Sequence, residues 1–250
     1  MKRTIAHMPW IEVKAAIDKQ PLALVPIGAT EVYGPHMPQG NDGIVAEELA
    51  VRIQRQVGGV VAPLIPVGDS TRLSAFPGTL VIDAETVYRV VRGIGESLYR
   101  AGCRSLLVVN GHAGNVDAIN RYLEEASNRF RRAAQVDVWR LAGALGADLF
   151  EGVQNPFAHG GASMTSVMLA LHPEWVDRSR MGQGSVMEDK HPAGVHLPPL
   201  AARFQQRFPE GYGGDVTGAS AEAGRELLRR METYLLRFLR EEGFVLEEEG

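Results

Sequence analysis

At 250 residues, 45% of them hydrophobic and 22% charged, the chain holds enough apolar material for a full core, which excludes a disordered or low-complexity protein. A formal charge of -4, with Arg and Glu interspersed, leaves no basic stripe for a phosphate backbone, so nucleic acid is not expected as a partner. The single cysteine, Cys103, excludes an intramolecular disulfide and a Cys-based zinc site, and is expected to be a buried structural thiol.

The N-terminus passes Pro9, Trp10 and Glu12 without an apolar run long enough for a signal peptide, and no stretch approaches a membrane span. A soluble, cytoplasmic protein is therefore expected. No Ser/Pro-rich linker interrupts the chain, so residues 1–250 are expected to form one domain.

Pro21 to Gly28 (PLALVPIG) reads as a strand buried on both faces of a parallel sheet. Ile44 to Val57 follows as a helix, then the short apolar segments Val60 to Ala62 and Leu64 to Val67. Ala84 to Ala101 reads as a helix with Val87, Val90, Val91, Ile94 and Leu98 on one face, Asp83 as its cap and Gly102 at its end. Ser105 to Asn110 (SLLVVN) is a second buried strand, and Val116, Ile119, Leu123, Ala126 and Phe130 lie at helical spacing after it. Ala134 to Trp139 reads as another strand, so strand and helix alternate. The pattern predicts an α/β fold, a three-layer α/β/α domain with a mostly parallel central sheet. Thr165 to Leu171 looks helical, Ser179 to Gly214 reads as loops, and Ala221 to Glu241 reads as a last helix before an acidic, solvated tail.

Open α/β sheets bind ligands beyond the carboxyl ends of their strands. Two polar clusters lie there. Glu31, Tyr33, His36 and Asp42 fall in the Gly/Pro-rich loop after the first strand, and Asn110-Gly111-His112-Ala113-Gly114-Asn115 follows the second. Carboxylates with imidazole suit zinc, manganese or ferrous iron. Spacing alone leaves open whether these side chains bind metal or cap turns: Asp42 can cap the following helix, and His112 can pack in a tight turn.

These clusters resemble the creatininase family, in which a strand ends in Gly-(Ser/Ala)-Thr-Glu-x-His-Gly-Pro-His-x-Pro-x-x-x-Asp. The resemblance continues through Ala75 to Thr79 (family FPGT), Asn110 to Asn115 (family NGHGGN), His159-Gly160-Gly161 (family HAGE) and Gly214 to Gly224 (family GDPxxASAEKG). It implies a creatininase-like fold, a metal site of Glu31, Asp42 and His112, and assembly as a homo-oligomer, commonly a hexamer. It also implies hydrolysis of a non-peptide C–N bond, as in an amide, cyclic amide or formamide of a small polar substrate.

Departures from the family pattern are as informative. The family's second-metal histidine is Tyr33 here, and a protonated phenol is a poor ligand. Both glutamates of the family's HAGExETS-type motif are replaced, by Ala162 and Met164, and the glutamate that some members carry two residues past the turn histidine is Gly114. The histidine preceding FPGT is missing, and Arg72 stands nearby as a cation suited to a substrate's anionic group. The expectation is one divalent metal per subunit, zinc or manganese, with ferrous iron also compatible. His36 or His159 would carry the proton, and Tyr33, Arg72 and Asn110 would face the substrate. The second reading is a non-catalytic paralogue acting in small-molecule binding or assembly. His191 and His196 have a spacing that allows a ligand pair, whereas His7 and His172 are expected to be structural or exposed.

Overall fold

A computed structural model describes residues 4–185 and 201–246. Strands β1 (Leu22–Ile27), β2 (Val60–Val61), β3 (Ser105–Asn110) and β4 (Arg132–Asp137) form a parallel sheet in the order β2-β1-β3-β4. The register sets Ile27 opposite Asn110 and Asn110 opposite Asp137, so three strand ends meet at one edge.

Every residue of β1 and β3 is buried, because the pleat sends alternate apolar side chains into two separate cores. On one face Leu22, Leu24, Leu107 and Val109 pack among α2 (Asn41–Val57), α5 (Val138–Gly146), α6 (Ala162–Leu171) and α8 (Ala221–Glu241). On the other, Ala23, Val25, Ile27, Leu106 and Val108 meet α1 (Trp10–Lys19), α3 (Ala84–Ala101) and α4 (Val116–Ala126). The three-layer α/β/α architecture with a parallel sheet is therefore present.

Local signals hold at several boundaries. Asp83 caps α3 by accepting from the Thr86 N–H at 2.7 Å, and Gly102 ends it in the left-handed region at φ 114°. Ser220 caps α8, accepting from the Ala223 N–H at 3.1 Å. Cys103 is buried and free, and burial pushes its thiol pKa up to about 11, as suits an inert structural residue.

Other elements differ from the sequence reading. α1 was not anticipated: it buries only Ile17 and leaves Trp10 and Ile11 exposed, so its apolar period is weak. β4 ends at Asp137, and the apolar Val138-Trp139 pair, read as strand, begins α5. α4 stops at Ala126, and Phe130 reaches the core from the following turn. The stretch read as loops contains a short helix, α7 (Ala201–Arg207), packed against the turn at Thr71–Leu73. His191 and His196 lie outside the described residues, as does most of the acidic tail. Among the described residues, no helix is long and apolar enough to cross a membrane.

Candidate functional site

The site grows from close backbone approach at the sheet edge. A Cβ at Gly28, just past β1, would collide with Gly43 at the start of α2, and a Cβ at Gly111, just past β3, would collide with the Asp42 carbonyl. Glycine at both positions lets the loop ends and the first turn of α2 share one space. Into it point Glu31, Asp42 and His112, all at least nine-tenths buried.

His112 Nδ1 lies 3.2 Å from Glu31 Oε2 and 3.2 Å from Asp42 Oδ2. One ligand atom from each residue falls within 4.8 Å of the other two. The opposite ring nitrogen, Nε2, is 2.9 Å from the Asp69 carbonyl oxygen, a group that can only accept. The Nε2–H therefore donates there, which leaves Nδ1 to present either a lone pair or a second proton to the two carboxylates.

Electrostatics distinguish the three groups. Burial raises the Glu31 pKa, but the bond to His112 and the Ser70 hydroxyl outweigh it and hold the carboxyl below its ordinary value. Burial and the neighbouring Glu31 charge leave Asp42 raised despite its bond to His112. Burial alone would lower His112, yet the two carboxylates carry its pKa well above the ordinary histidine value. The two carboxylates thus favour a proton on His112, and that single charge offsets only part of the acid pair. With that proton gone, two carboxylate oxygens and an imidazole lone pair converge as an open three-ligand set that fits a divalent cation.

Tyr33 occupies the opposite side of Asp42, its hydroxyl donating to Asp42 Oδ1. Burial and the adjacent carboxylates push its pKa well above the ordinary phenol value, so the donor keeps its proton. His159 packs against Tyr33 with ring centroids 4.3 Å apart and the rings tilted by 40°, and Phe204 of α7 meets it edge-on at 5.5 Å. Its Nε2 donates to the Val32 carbonyl at 2.6 Å, and its Nδ1 faces Glu31 Oε1 at 3.8 Å. His36 bonds Thr165 Oγ1 at 3.0 Å and packs edge-on against Tyr212. Burial lowers its pKa to about 4, so it is neutral near pH 7.

The remaining expected residues divide. The Asn110 side chain accepts from the His112 N–H at 3.0 Å and donates to Asp137 at 3.2 Å. That side chain is fully buried, and these bonds hold the turn that carries His112. Arg72 is exposed on the turn at Thr71–Leu73, beside α7. Ala162 and Met164 are buried in the apolar core on the α6 side.

Ser70 was not anticipated. It is fully buried and donates to Glu31 Oε2 at 2.5 Å. Only the fold shows it: Ile65 bridges Ile27 in parallel, so the segment just after it runs along the same sheet edge as Glu31.

Comparisons with known proteins agree with this geometry. The family model for creatininase, described as creatinine amidohydrolase, matches residues 6–239. The chain is 33% identical over 223 residues to a mycofactocin precursor peptide peptidase of Mycobacterium ulcerans (strain Agy99), covering 84% of this chain and 81% of the relative. It is 28% identical over 202 residues to a creatinine amidohydrolase of Pseudomonas putida, covering 71% and 75%. Among solved structures it is similar to a mutant creatininase described as Zn-Zn type, with a TM-score of 0.80, 26% identity, and 97% and 98% of the two chains covered.

Proposed function

Since the chain belongs to the creatininase family of hydrolases, we propose that it hydrolyses a non-peptide C–N bond of a small polar substrate, an amide, cyclic amide or formamide. One divalent cation, zinc or manganese, would be held by Glu31, Asp42 and His112. The observation that carries this reading is the convergence of two carboxylate oxygens and His112 Nδ1 in a buried cluster, with Nε2 already committed to the Asp69 carbonyl. A buried acid pair is costly unless a cation neutralises it. When bound, the metal would polarise the scissile carbonyl and lower the pKa of water at the site.

The chain's own residues define the rest. Tyr33 closes Asp42 Oδ1 with a phenol proton, so this carboxylate does not reach a second cation. Met164 and Ala162 offer no proton carrier on the α6 side. His159 is the group placed to move a proton. Its Nε2–H is fixed on Val32, its Nδ1 is directed at the Glu31 side of the site, and its ring is partly open to solvent. His36, neutral and bonded to Thr165, supports the loop rather than donating a proton. Arg72, free of ion pairs among the described residues, would attract an anionic substituent at the rim. A homo-oligomer, by family resemblance, and a cytoplasmic location complete the reading.

The relative named as a precursor peptide peptidase favours a second reading in which the amide belongs to a peptide. Metal analysis of the purified protein, followed by turnover screening on small cyclic amides, formamides and short peptides, tests both. Near one equivalent of metal, with turnover of the small amides, is expected. Two tightly bound equivalents would sink the one-metal reading, and turnover of peptides alone would replace the small-molecule substrate by a peptide.

A further inference from the structure

Ser70 is used by neither the motif resemblance nor the reaction above, yet its segment Gly68-Asp69-Ser70 touches two of the three residues of the cluster. The Asp69 carbonyl takes the His112 Nε2–H at 2.9 Å, and the Ser70 hydroxyl donates to Glu31 Oε2 at 2.5 Å. Adjacent residues of one strap thereby hold two ligands that arrive from different strands.

The strap is itself fixed on several sides. Asn115 Oδ1 accepts from the Asp69 N–H at 3.1 Å, while Asn115 Nδ2 donates to the Gly28 carbonyl at 3.0 Å, tying the strap to the end of β1. The Asp69 carboxylate accepts from the Thr71 N–H at 3.2 Å and from its hydroxyl at 2.6 Å, closing a local turn. A Cβ at Gly68 would lie 2.5 Å from Asn115 Oδ1, and a Cβ at Gly114 would run into the Asp69 carbonyl, so both glycines are required for the strap to lie this close.

We infer that Ser70 is a positioning residue for the metal site: its hydroxyl holds Glu31 Oε2 and orients the carboxylate, while the neighbouring Asp69 carbonyl fixes the His112 tautomer. This rests on the reading that Glu31, Asp42 and His112 bind a divalent cation. Two observations support it. Ser70 is fully buried with its hydroxyl on Glu31 rather than on a backbone carbonyl, and Glu31 Oε1 is left facing His159 at 3.8 Å. A bond to the carboxylate also limits its rotation, so removing the hydroxyl releases a ligand from its binding orientation before any metal arrives.

The test is zinc and manganese affinity of the full chain, measured by competition with a chromophoric chelator, for wild type, Ser70→Ala and Ser70→Thr. Ser70→Ala is expected to lose about 10–100-fold in affinity, the usual effect of losing such a supporting bond. Ser70→Thr, which keeps the hydroxyl, should stay closer to wild type than Ser70→Ala. Melting of the chelated proteins serves as the control, because a merely structural role would lower melting without a selective loss of metal. Should Ser70→Ala fail to fold, Ser70→Cys, nearly isosteric with a weak donor, should show the same loss. Ser70→Ala, or Ser70→Cys in its place, binding within about threefold of wild type would overturn the inference and leave the metal reading standing. Absence of zinc and manganese binding by the wild type would overturn both.

Discussion

The phenol of Tyr33 donates to Oδ1 of Asp42 while Oδ2 of the same carboxylate faces His112 Nδ1 at 3.2 Å. One carboxylate is thus divided between a proton donor and the candidate metal position. A carboxylate that bridges two cations with one oxygen on each needs both available, and the Tyr33 donor occupies one. Tyr33→Phe leaves Asp42 Oδ1 buried without that donor, which should destabilise the protein by about 1–3 kcal/mol. The variant should still bind one equivalent of metal, because Gly114 and Met164 supply no replacement ligand. Elemental analysis alongside urea unfolding reads both effects, and a second tightly bound equivalent in Tyr33→Phe would show that the phenol alone had blocked the other site.

Gly114 invites a tempting repair, restoring the glutamate that some family members carry there. The backbone does not allow it. A Cβ at this position would strike the Asp69 carbonyl and lie 2.7 Å from His112 Nε2, the two atoms that bond each other to set the tautomer. Gly114→Glu should therefore weaken metal binding and lower stability by about 1–3 kcal/mol, as overpacking typically does. Gly114→Ala should go the same way with no new charge. Chelator competition on both variants decides the matter, and tighter binding in Gly114→Glu would show that the strap yields.

His36 supplies a pH dependence away from the metal ligands. Its folded pKa is lowered to about 4 by burial, below the 6.5 of an ordinary histidine. Above pH 6.5 the ring is neutral in both states and its contribution to stability is complete. As the pH falls from 6.5 towards 4 the unfolded chain takes up a proton that the folded ring does not, and that contribution is lost. By about pH 5 the loss should be on the order of 1 kcal/mol. Urea midpoints at pH 7 and pH 5 for wild type and His36→Gln test this. The variant should lose less stability between the two pH values, and an equal loss would place the titration elsewhere.

The sheet was legible because β1 and β3 are buried on both faces, so their apolar runs needed no partner to be recognised. The Glu31, Asp42 and His112 positions were legible for a related reason, since each follows a strand or opens a helix at the sheet edge. What stayed hidden depends on contacts distant in sequence. Ser70 meets Glu31 across 39 residues through a single isolated bridge at Ile65, too short a pairing to leave a pattern. α7 has only seven residues, and its Phe204 acquires meaning only beside His159 and Phe76. Asn110 stands at a strand end in the sequence, but its partner does not show there: the register with β4 sets it opposite Asp137, to which its amide donates.

His159 is where the chemistry can be separated from the metal. Its ring is held by contacts with Tyr33 and Phe204 and by the Val32 carbonyl at Nε2, so its direction does not depend on Glu31. At 3.8 Å from Glu31 Oε1 it makes no hydrogen bond to the cluster, and removing it should leave the three-ligand set intact. His159→Gln is therefore expected to retain full metal content and close to wild-type melting, while turnover of a responsive amide falls by about 100–10,000-fold, the usual share of a general acid or base. His112→Ala should show the converse order of losses, metal first and activity as a consequence. Measuring metal content and turnover on the same preparations distinguishes these cases. If His159→Gln loses metal in proportion to activity, the imidazole belongs among the ligands, and the proton must be carried by another group.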